Sequence, residues 1–332
     1  MNACVTTYPP FRAALAQLAK TIMDVTLHIG AHRTAATGFQ DYLRRHRTDL
    51  ETRGVAFWGP GSTRRGLFSG LLPSGKGTVS AARQERAAGR IRLRLDQTRR
   101  NGTSHLIISD QNMMGSLGNN MRERALYPAV GEQIARFAGA FDGRISAVML
   151  SMRSLDLWWC SALAAGVSRG HPLPEAADIK TIATSERGWR DVIADVACAL
   201  PGVPLRVLPF EQFAGRPDAL FACGAEADAP RETSRQWLSQ APALPELRRA
   251  LPPGGGQLPF GMGRWNPFDN EQHAALRELY ADDIMWLTAG ADGLATLTED
   301  DTRTRVAQTQ PAGQRMEGQT DEHEKGRLAR PG

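Results

Sequence analysis

Cysteine is scarce in this chain, and its four cysteines, Cys4, Cys160, Cys198 and Cys223, lie far apart. No two of them form a C-x-x-C pair, and no histidine stands at the spacing of a zinc site. The pattern argues against a disulfide framework and predicts isolated reduced thiols in or near the core. Clusters of carboxylates are also missing, so we expect no obligatory metal.

Long hydrophobic runs are absent as well, since no uncharged apolar stretch reaches about 18 residues. The first apolar window, residues 11–23, is interrupted by Arg12 and Lys20. This window also lacks the basic start, apolar centre and small-residue cleavage site of a secretory signal. We therefore expect no membrane span and a cytoplasmic location.

Acidic residues are outnumbered, because 40 Lys and Arg against 35 Asp and Glu give a net charge of +5. Arginine clusters at residues 44–53, 83–100 and 122–124. Such an excess suits an anionic ligand. Solvated helix faces produce similar clusters, and we do not expect nucleic acid as a partner.

The order of predicted elements is that of a parallel α/β domain. Short apolar runs predict strands at 25–29, 55–58, 105–109, 145–151 and 205–209. Periodicity predicts helices at 37–53, 79–100, 127–141, 158–165, 189–200 and 270–287. The alternation predicts a three-layer sandwich in which helices cover both faces of a parallel sheet.

The domain is expected to cover residues 23–298. Residues 1–22 are interpreted as an N-terminal extension, with Met1 and Met23 both open as the start, and the polar residues 299–332 as a disordered tail. Within the domain, the Gly-, Ser- and Pro-rich segment 61–77 predicts a loop, and segment 244–263 shows no clear period.

A glycine turn after the first predicted strand carries the main functional signal. It consists of Gly30, Ala31, His32, Arg33, Thr34, Ala35, Ala36 and Thr37. The amides of such a turn and the dipole of the following helix attract an anion. Arg33 adds a positive charge, and Thr34 and Thr37 add hydroxyl donors. Phosphate or sulfate is the expected ligand, and a turn without a ligand is the alternative.

This turn does not match the Walker A motif of ATP-binding proteins. A register that starts at Gly30 places Ala35 where the motif has its second glycine and Ala36 where it has lysine. An ATPase or ordinary kinase is therefore disfavoured, and a phosphotransferase remains only a third hypothesis.

A second cationic position follows another buried strand. Arg153 comes just after the strand predicted at 145–151, and Ser161 lies eight positions further on in the next helix. Since parallel strands deliver their carboxyl ends to one edge, Arg153 and the Gly30 turn should face the same crevice. Two anion-binding groups on one edge suggest a ligand with two phosphate-like ends; a helix cap or a surface ion pair is the alternative for Arg153.

Together these segments resemble the bacterial members of the sulfotransferase family. The resemblance rests on the His-Ile-Gly-x-x-Arg-Thr-x-x-Thr turn, on Arg153 with Ser161, and on weaker matches at 107–111, 208–211 and 276–287. It implies a P-loop-like α/β domain that transfers a sulfuryl group from 3′-phosphoadenosine 5′-phosphosulfate (PAPS) to a hydroxyl or amine. The turn would hold the 5′-phosphosulfate, and Arg153 and Ser161 the 3′-phosphate.

The chain departs from its relatives at the turn and after the strand at 105–109. Arg33 stands where the family usually has lysine, and Gln111 stands where many relatives have glutamate. Ala35 and Ala36 stand where the family has glycine and threonine, which removes one hydroxyl group and one conformationally free residue. Gln111 cannot accept a proton at neutral pH. A homologue that binds the nucleotide but has lost transfer activity is therefore the second hypothesis.

Three side chains are candidate bases for the acceptor: the neighbouring Asp110, and His28 and His32 beside the turn. With Arg33 and Gln111 they complete the candidate catalytic set. The acceptor itself is open, although its pocket could use aromatic side chains such as Trp58, Trp158, Trp159, Trp265 and Phe268.

Overall fold

The computed structural model describes residues 23–72, 79–225, 230, 238, 240–252 and 256–299. The predicted extension 1–22 lies outside these residues, as do positions 300–332 of the predicted tail and positions 73–77 of the segment predicted as a loop.

Six strands form one parallel sheet in the order β2-β3-β1-β4-β5-β6. They are β1 (Asp24–Gly30), β2 (Val55–Trp58), β3 (His105–Ser109), β4 (Ala147–Met152), β5 (Leu205–Pro209) and β6 (Thr296–Leu297). Every strand pair is parallel, which confirms the predicted fold class of an α/β protein with a parallel sheet. The two-residue strand β6 has no counterpart among the predicted strands.

Helices connect and cover the strands. They are α1 (Ala36–Arg45), α2 (Arg47–Thr52), α3 (Pro60–Ser62), α4 (Ala81–Arg100), α5 (Leu117–Glu123), α6 (Val130–Phe141), α7 (Leu155–Val167), α8 (Ala176–Ala183), α9 (Trp189–Ala199), α10 (Phe210–Phe213), α11 (Pro217–Ala225), α12 (Leu244–Ala250) and α13 (Asn270–Thr288). A π-helical turn spans Thr63–Leu67, and 3₁₀ turns span Gln111–Met114 and Ala291–Gly293.

Alternating strand residues divide the core into two layers of contacts. Leu106 and Ile108 of β3 pack in the larger apolar cluster with helices α4, α6, α7 and α9. Ile107, between them, packs in a second cluster with Phe39 of α1 and Phe221 of α11. Because successive strand side chains point to opposite faces, the two clusters lie on opposite faces of the sheet. The expectation of helices on both faces is therefore met.

The structure corrects three sequence-based boundaries. The helix predicted at 37–53 is broken at His46, whose backbone leaves the helical region. The segment predicted as a loop from residue 61 contains the short helix α3 and the π-helical turn. The segment 244–263, which has no clear period, begins with helix α12, whose second residue is a helix-starting Pro245.

The strand order fixes where a ligand can enter. From β1 the chain runs outward to β2, whereas from β4 it runs in the opposite direction to β5. A crevice therefore forms between the carboxyl ends of β1 and β4, the usual place for a ligand in an open α/β sheet. The Gly30 turn and Arg153 follow these two strands.

None of the described helices is long and apolar enough to cross a bilayer. Cys160, Cys198 and Cys223 are free thiols, as expected, and Cys4 lies outside the described residues. Cys160 and Cys223 are half-buried and Cys198 is exposed.

Candidate functional site

A cavity of about 900 Å³ lies at the carboxyl edge of the sheet. Its wall combines the Gly30 turn, one side of α7 and the first turns of α13. Its charged lining residues are all basic: Arg33, Arg153, Arg169, Arg264 and Arg277. No Asp or Glu belongs to the lining in the described part of the chain. The electrostatics therefore favour an anionic ligand.

Gly30 shapes the turn because no other residue fits there. Its φ of +100° lies in the region that favours glycine, and a Cβ atom at this position would stand 2.7 Å from the Cβ of Gln111. This close approach brings the 3₁₀ turn after β3 against the Gly30 turn. Gln111 thereby reaches the cavity wall.

The amino end of α1 faces the same cavity through Ala35, Ala36 and Thr37. Ala35 precedes the helix with φ 63° and ψ 17°, a left-handed conformation, and has no side chain that could cap the first amides. The first amides of a helix have no intrahelical partners, so they are available to an anion. The start of α1 and the Gly30 turn therefore open on the same cavity.

Arg33, Arg153 and Ser161 meet at the centre of this cavity. The Arg33 Nε donates to the Ser161 Oγ at 2.8 Å, and the Arg153 Nη1 donates to the Arg33 carbonyl oxygen at 3.2 Å. Because Ser161 uses a lone pair to accept from Arg33, its own O–H stays available as a donor. The two segments expected to share one crevice are in direct contact.

Arg153 is held in place by Phe210 and Trp189, in addition to its contact with Arg33. Its guanidinium stacks over the Phe210 ring at 4.5 Å, and its carbonyl oxygen accepts a 2.8 Å hydrogen bond from the Trp189 indole. Only 8% of the residue is exposed. Its Nε is buried and has no hydrogen-bond partner among the described residues. A buried cationic donor without a partner is costly, and its cost marks Arg153 as a residue whose position needs an explanation beyond packing.

Burial, more than the neighbouring cations, lowers the pKa of Arg33 and of Arg153. Burial, together with the charges of Arg169 and Arg153, lowers the pKa of Arg33 to about 10. Burial also lowers the pKa of Arg153, while Glu211 acts in the opposite direction. Both groups stay positive at neutral pH, so the site concentrates charge that an anion would neutralise.

His32 takes part in the turn with both ring nitrogens engaged. The Tyr127 hydroxyl accepts from the His32 backbone N–H at 2.8 Å and lies 2.9 Å from Nδ1, and Nε2 lies 3.1 Å from the Asn112 Oδ1. Tyr127 must then donate to Nδ1, and Nε2 carries the proton that Asn112 accepts. Burial lowers the pKa of His32 to about 4. As a base, His32 would have to break this pairing.

His28 does not line the cavity. It is buried on the α1 face of the sheet, edge-on to Phe39, with Nδ1 2.7 Å from the Ser109 Oγ. The Ser109 Oγ also accepts from Gln40 at 3.1 Å. Burial lowers the pKa of His28 to about 4. The structure therefore gives His28 a structural environment and no route to an acceptor.

Asp110 and Gln111 point in different directions. Asp110 is fully buried and accepts from Thr63, from Arg64 at 2.6 Å and from the Asn112 amide at 3.0 Å, away from the cavity lining. Gln111 lines the cavity, and its Oε1 accepts from Gln40 at 3.1 Å. Of the candidate catalytic residues, Arg33, His32 and Gln111 line the cavity, whereas His28 and Asp110 do not.

Most of the aromatic residues proposed for the acceptor pocket lie in the hydrophobic core and not at the cavity. Trp58, Trp158, Trp159 and Phe268 belong to the core, and only Trp265 of that set lines the cavity. Trp158 supports the turn directly, since its indole donates to the His32 carbonyl oxygen at 2.7 Å.

The sequence interpretation missed the contribution of α13 and the segment before it. His273 and Arg277 contact the buried Asp156 of α7 at 3.2 and 2.7 Å, and His273 also contacts Asn266 at 2.7 Å. Arg277, His273, Asn266 and Arg264 line the cavity. These residues lie more than 100 positions from Asp156, and no local sequence pattern predicts that they contact its surroundings.

Comparisons of the chain with protein-family models, curated proteins and solved structures gave no match in any of the three. Function must therefore be argued from the site itself. In the described residues, no group of three or more His, Cys, Asp or Glu side chains is arranged to hold a metal ion.

Proposed function

We propose that this protein binds PAPS in the basic cavity and transfers its sulfuryl group to a hydroxyl or amine acceptor, on a P-loop-like domain of the sulfotransferase type. The observation that carries the proposal is the meeting of Arg33, Ser161 and Arg153 between β1 and β4. The uncapped start of α1 and Arg33 would hold the phosphosulfate, and Arg153 with Ser161 the 3′-phosphate.

In this reaction the acceptor oxygen or nitrogen forms a bond to sulfur while the bond from sulfur to the bridging phosphate oxygen breaks. Adenosine 3′,5′-bisphosphate leaves with the electron pair, and the acceptor proton passes to water. Arg33 and the α1 amides would stabilise the charge that develops on the leaving phosphate. No metal ion is part of the proposal.

The test is calorimetric titration with two nucleotides that differ only in the 3′-phosphate. Adenosine 3′,5′-bisphosphate should bind and adenosine 5′-monophosphate should bind more weakly. Arg153→Gln should weaken binding of the bisphosphate about 10- to 100-fold, the loss expected for a charge-assisted hydrogen bond, and reduce this preference. Arg99→Gln, at an exposed position in the last turn of α4, is the matched control. Absence of heat at millimolar bisphosphate would contradict the proposal.

A second candidate function is nucleotide binding without transfer. It is favoured by Gln111, which stands at the cavity where a carboxylate base would be expected, and by the engagement of both His32 nitrogens. Transfer of ³⁵S from labelled PAPS to a panel of alcohols, phenols and amines separates the two functions. Bisphosphate binding with no labelled product would favour this second function.

A further inference from the structure

The α7 helix runs along the cavity and gives it two ends. Arg153 precedes the helix, Ser161 lies in its middle, and Arg169 lies two positions beyond its last residue, Val167. Arg169 stands roughly two helical turns, about 12 Å, beyond Ser161 along the axis. A nucleotide held between Arg33 and Arg153 would occupy the Arg153 side of Ser161. The Arg169 end of the cavity is therefore left for another group.

Arg169 is placed close to the reacting region. Its backbone N–H donates to the Gly166 carbonyl oxygen at 2.9 Å, which fixes the turn that closes α7. Its charge lowers the pKa of both Arg33 and His32, and its effect on Arg33 exceeds that of Arg153. Such an influence needs proximity, because exposed charges are screened within about 10 Å.

Two of the other cations of the cavity have partners within the protein. Arg277 pairs with Asp156 at 2.7 Å, and Arg33 donates to Ser161. Arg264 acts on Arg153, at the opposite end from Arg169. Arg169 has no ion pair or side-chain hydrogen bond with any described residue. Its positive charge therefore faces the cavity without a counter-charge from the protein.

We infer that Arg169 binds an anionic group of the acceptor, so that the acceptor is a hydroxyl or amine compound bearing a negative charge. This inference rests on the proposed function. The acceptor's nucleophilic atom would lie between Arg169 and Arg33, with Leu117 and Ala164 beside it in the cavity wall. Arg169 would then act as a specificity-determining residue, because it orients the acceptor and takes no part in the bond changes.

The test uses two matched acceptor pairs that differ in a carboxylate: 3-(4-hydroxyphenyl)propionate with 4-ethylphenol, and glucuronate with glucose. Each compound is titrated into protein saturated with adenosine 3′,5′-bisphosphate. In at least one pair the acid should bind at least tenfold more tightly. Arg169→Gln should remove the difference, Arg169→Lys should retain part of it, and Arg99→Gln should leave it unchanged.

The bisphosphate titration itself separates the two proposals. If the bisphosphate fails to bind, the proposed function falls. If it binds with the same affinity to Arg169→Gln and the acids show no advantage in either pair, only the acceptor inference is overturned. A cation past the end of a helix can also serve the helix dipole alone. In that case Arg169→Gln would lower the melting temperature and leave the preference for the acid intact, which would also overturn the inference.

Discussion

Ala35 carries a backbone conformation that its side chain disfavours. A left-handed φ of 63° costs a non-glycine residue roughly 1–2 kcal/mol, more than the roughly 0.5–1 kcal/mol of chain entropy that glycine would add. Ala35→Gly should therefore raise the free energy of unfolding by about 0.5–1 kcal/mol, measured by urea denaturation. Ala36→Gly, in the first helical position of α1, should lower it by a similar amount. A loss of stability in Ala35→Gly would show that the turn does not hold this conformation.

His28 should make the stability of the protein depend on pH. Burial lowers its pKa from 6.5 to about 4, so between these values the unfolded chain binds a proton that the folded chain does not. Stability is then complete above about pH 6.5 and falls as the pH is lowered towards 4. From pH 7 to pH 5 the loss attributable to His28 should be about 2 kcal/mol.

Urea unfolding of the wild type and of His28→Gln at both pH values measures this contribution. The variant should lose about 2 kcal/mol less than the wild type on acidification. His171→Gln changes an exposed histidine and serves as the control. Equal pH dependence in the wild type and His28→Gln would contradict the assignment of a buried neutral imidazole.

At the scale of elements, a residue of α13 caps the amino end of α9, more than 90 positions earlier in the chain. The buried Asp283 carboxylate accepts from the Trp189 and Arg190 amides at 2.8 and 3.0 Å, and Trp189 in turn supports Arg153. Asp283→Ala would leave the buried Trp189 amide and the partly buried Arg190 amide without this partner. It should cost about 2–4 kcal/mol in the free energy of unfolding and also weaken bisphosphate binding.

The neighbouring Asp282 is exposed and provides the control, since Asp282→Ala should change the free energy of unfolding by less than about 0.5 kcal/mol. Urea denaturation of the two variants measures the free energy of unfolding, and calorimetry measures bisphosphate binding. The role of Asp283 would be refuted if both variants were equally stable.

Elements with strong local patterns could be predicted, and those that depend on distant contacts could not. Strands β2, β3 and β5 match their apolar runs because buried parallel strands are apolar on both faces. Helices α3, α5, α8, α10, α11 and α12 were missed, since short helices have weak periodicity and are stabilised mainly by packing. Strand β6 has two residues and owes its place to pairing with Arg206 and Val207.

For the whole molecule, the meeting of the Gly30 turn with Arg153 was predictable because parallel strands share one edge. The far wall of the cavity was not, since Arg277 reaches Asp156 across 121 positions. The positions of two candidate bases were predicted only in part. The strand pattern placed His28 and Asp110 near the turn, but the pleat and the ion pair of the buried Asp110 with Arg64 direct them away from the cavity.

The Arg33–Arg153 contact joins segments 120 positions apart, one from the half of the chain that forms β1 to β3 and one from the half that forms β4 to β6. A ligand bound by both Arg33 and Arg153 would bridge the junction between these halves. Partial separation of β1 from β4 would then require release of the ligand. Occupancy would thus suppress subglobal opening at the middle of the sheet and leave fraying at its outer strands unaffected.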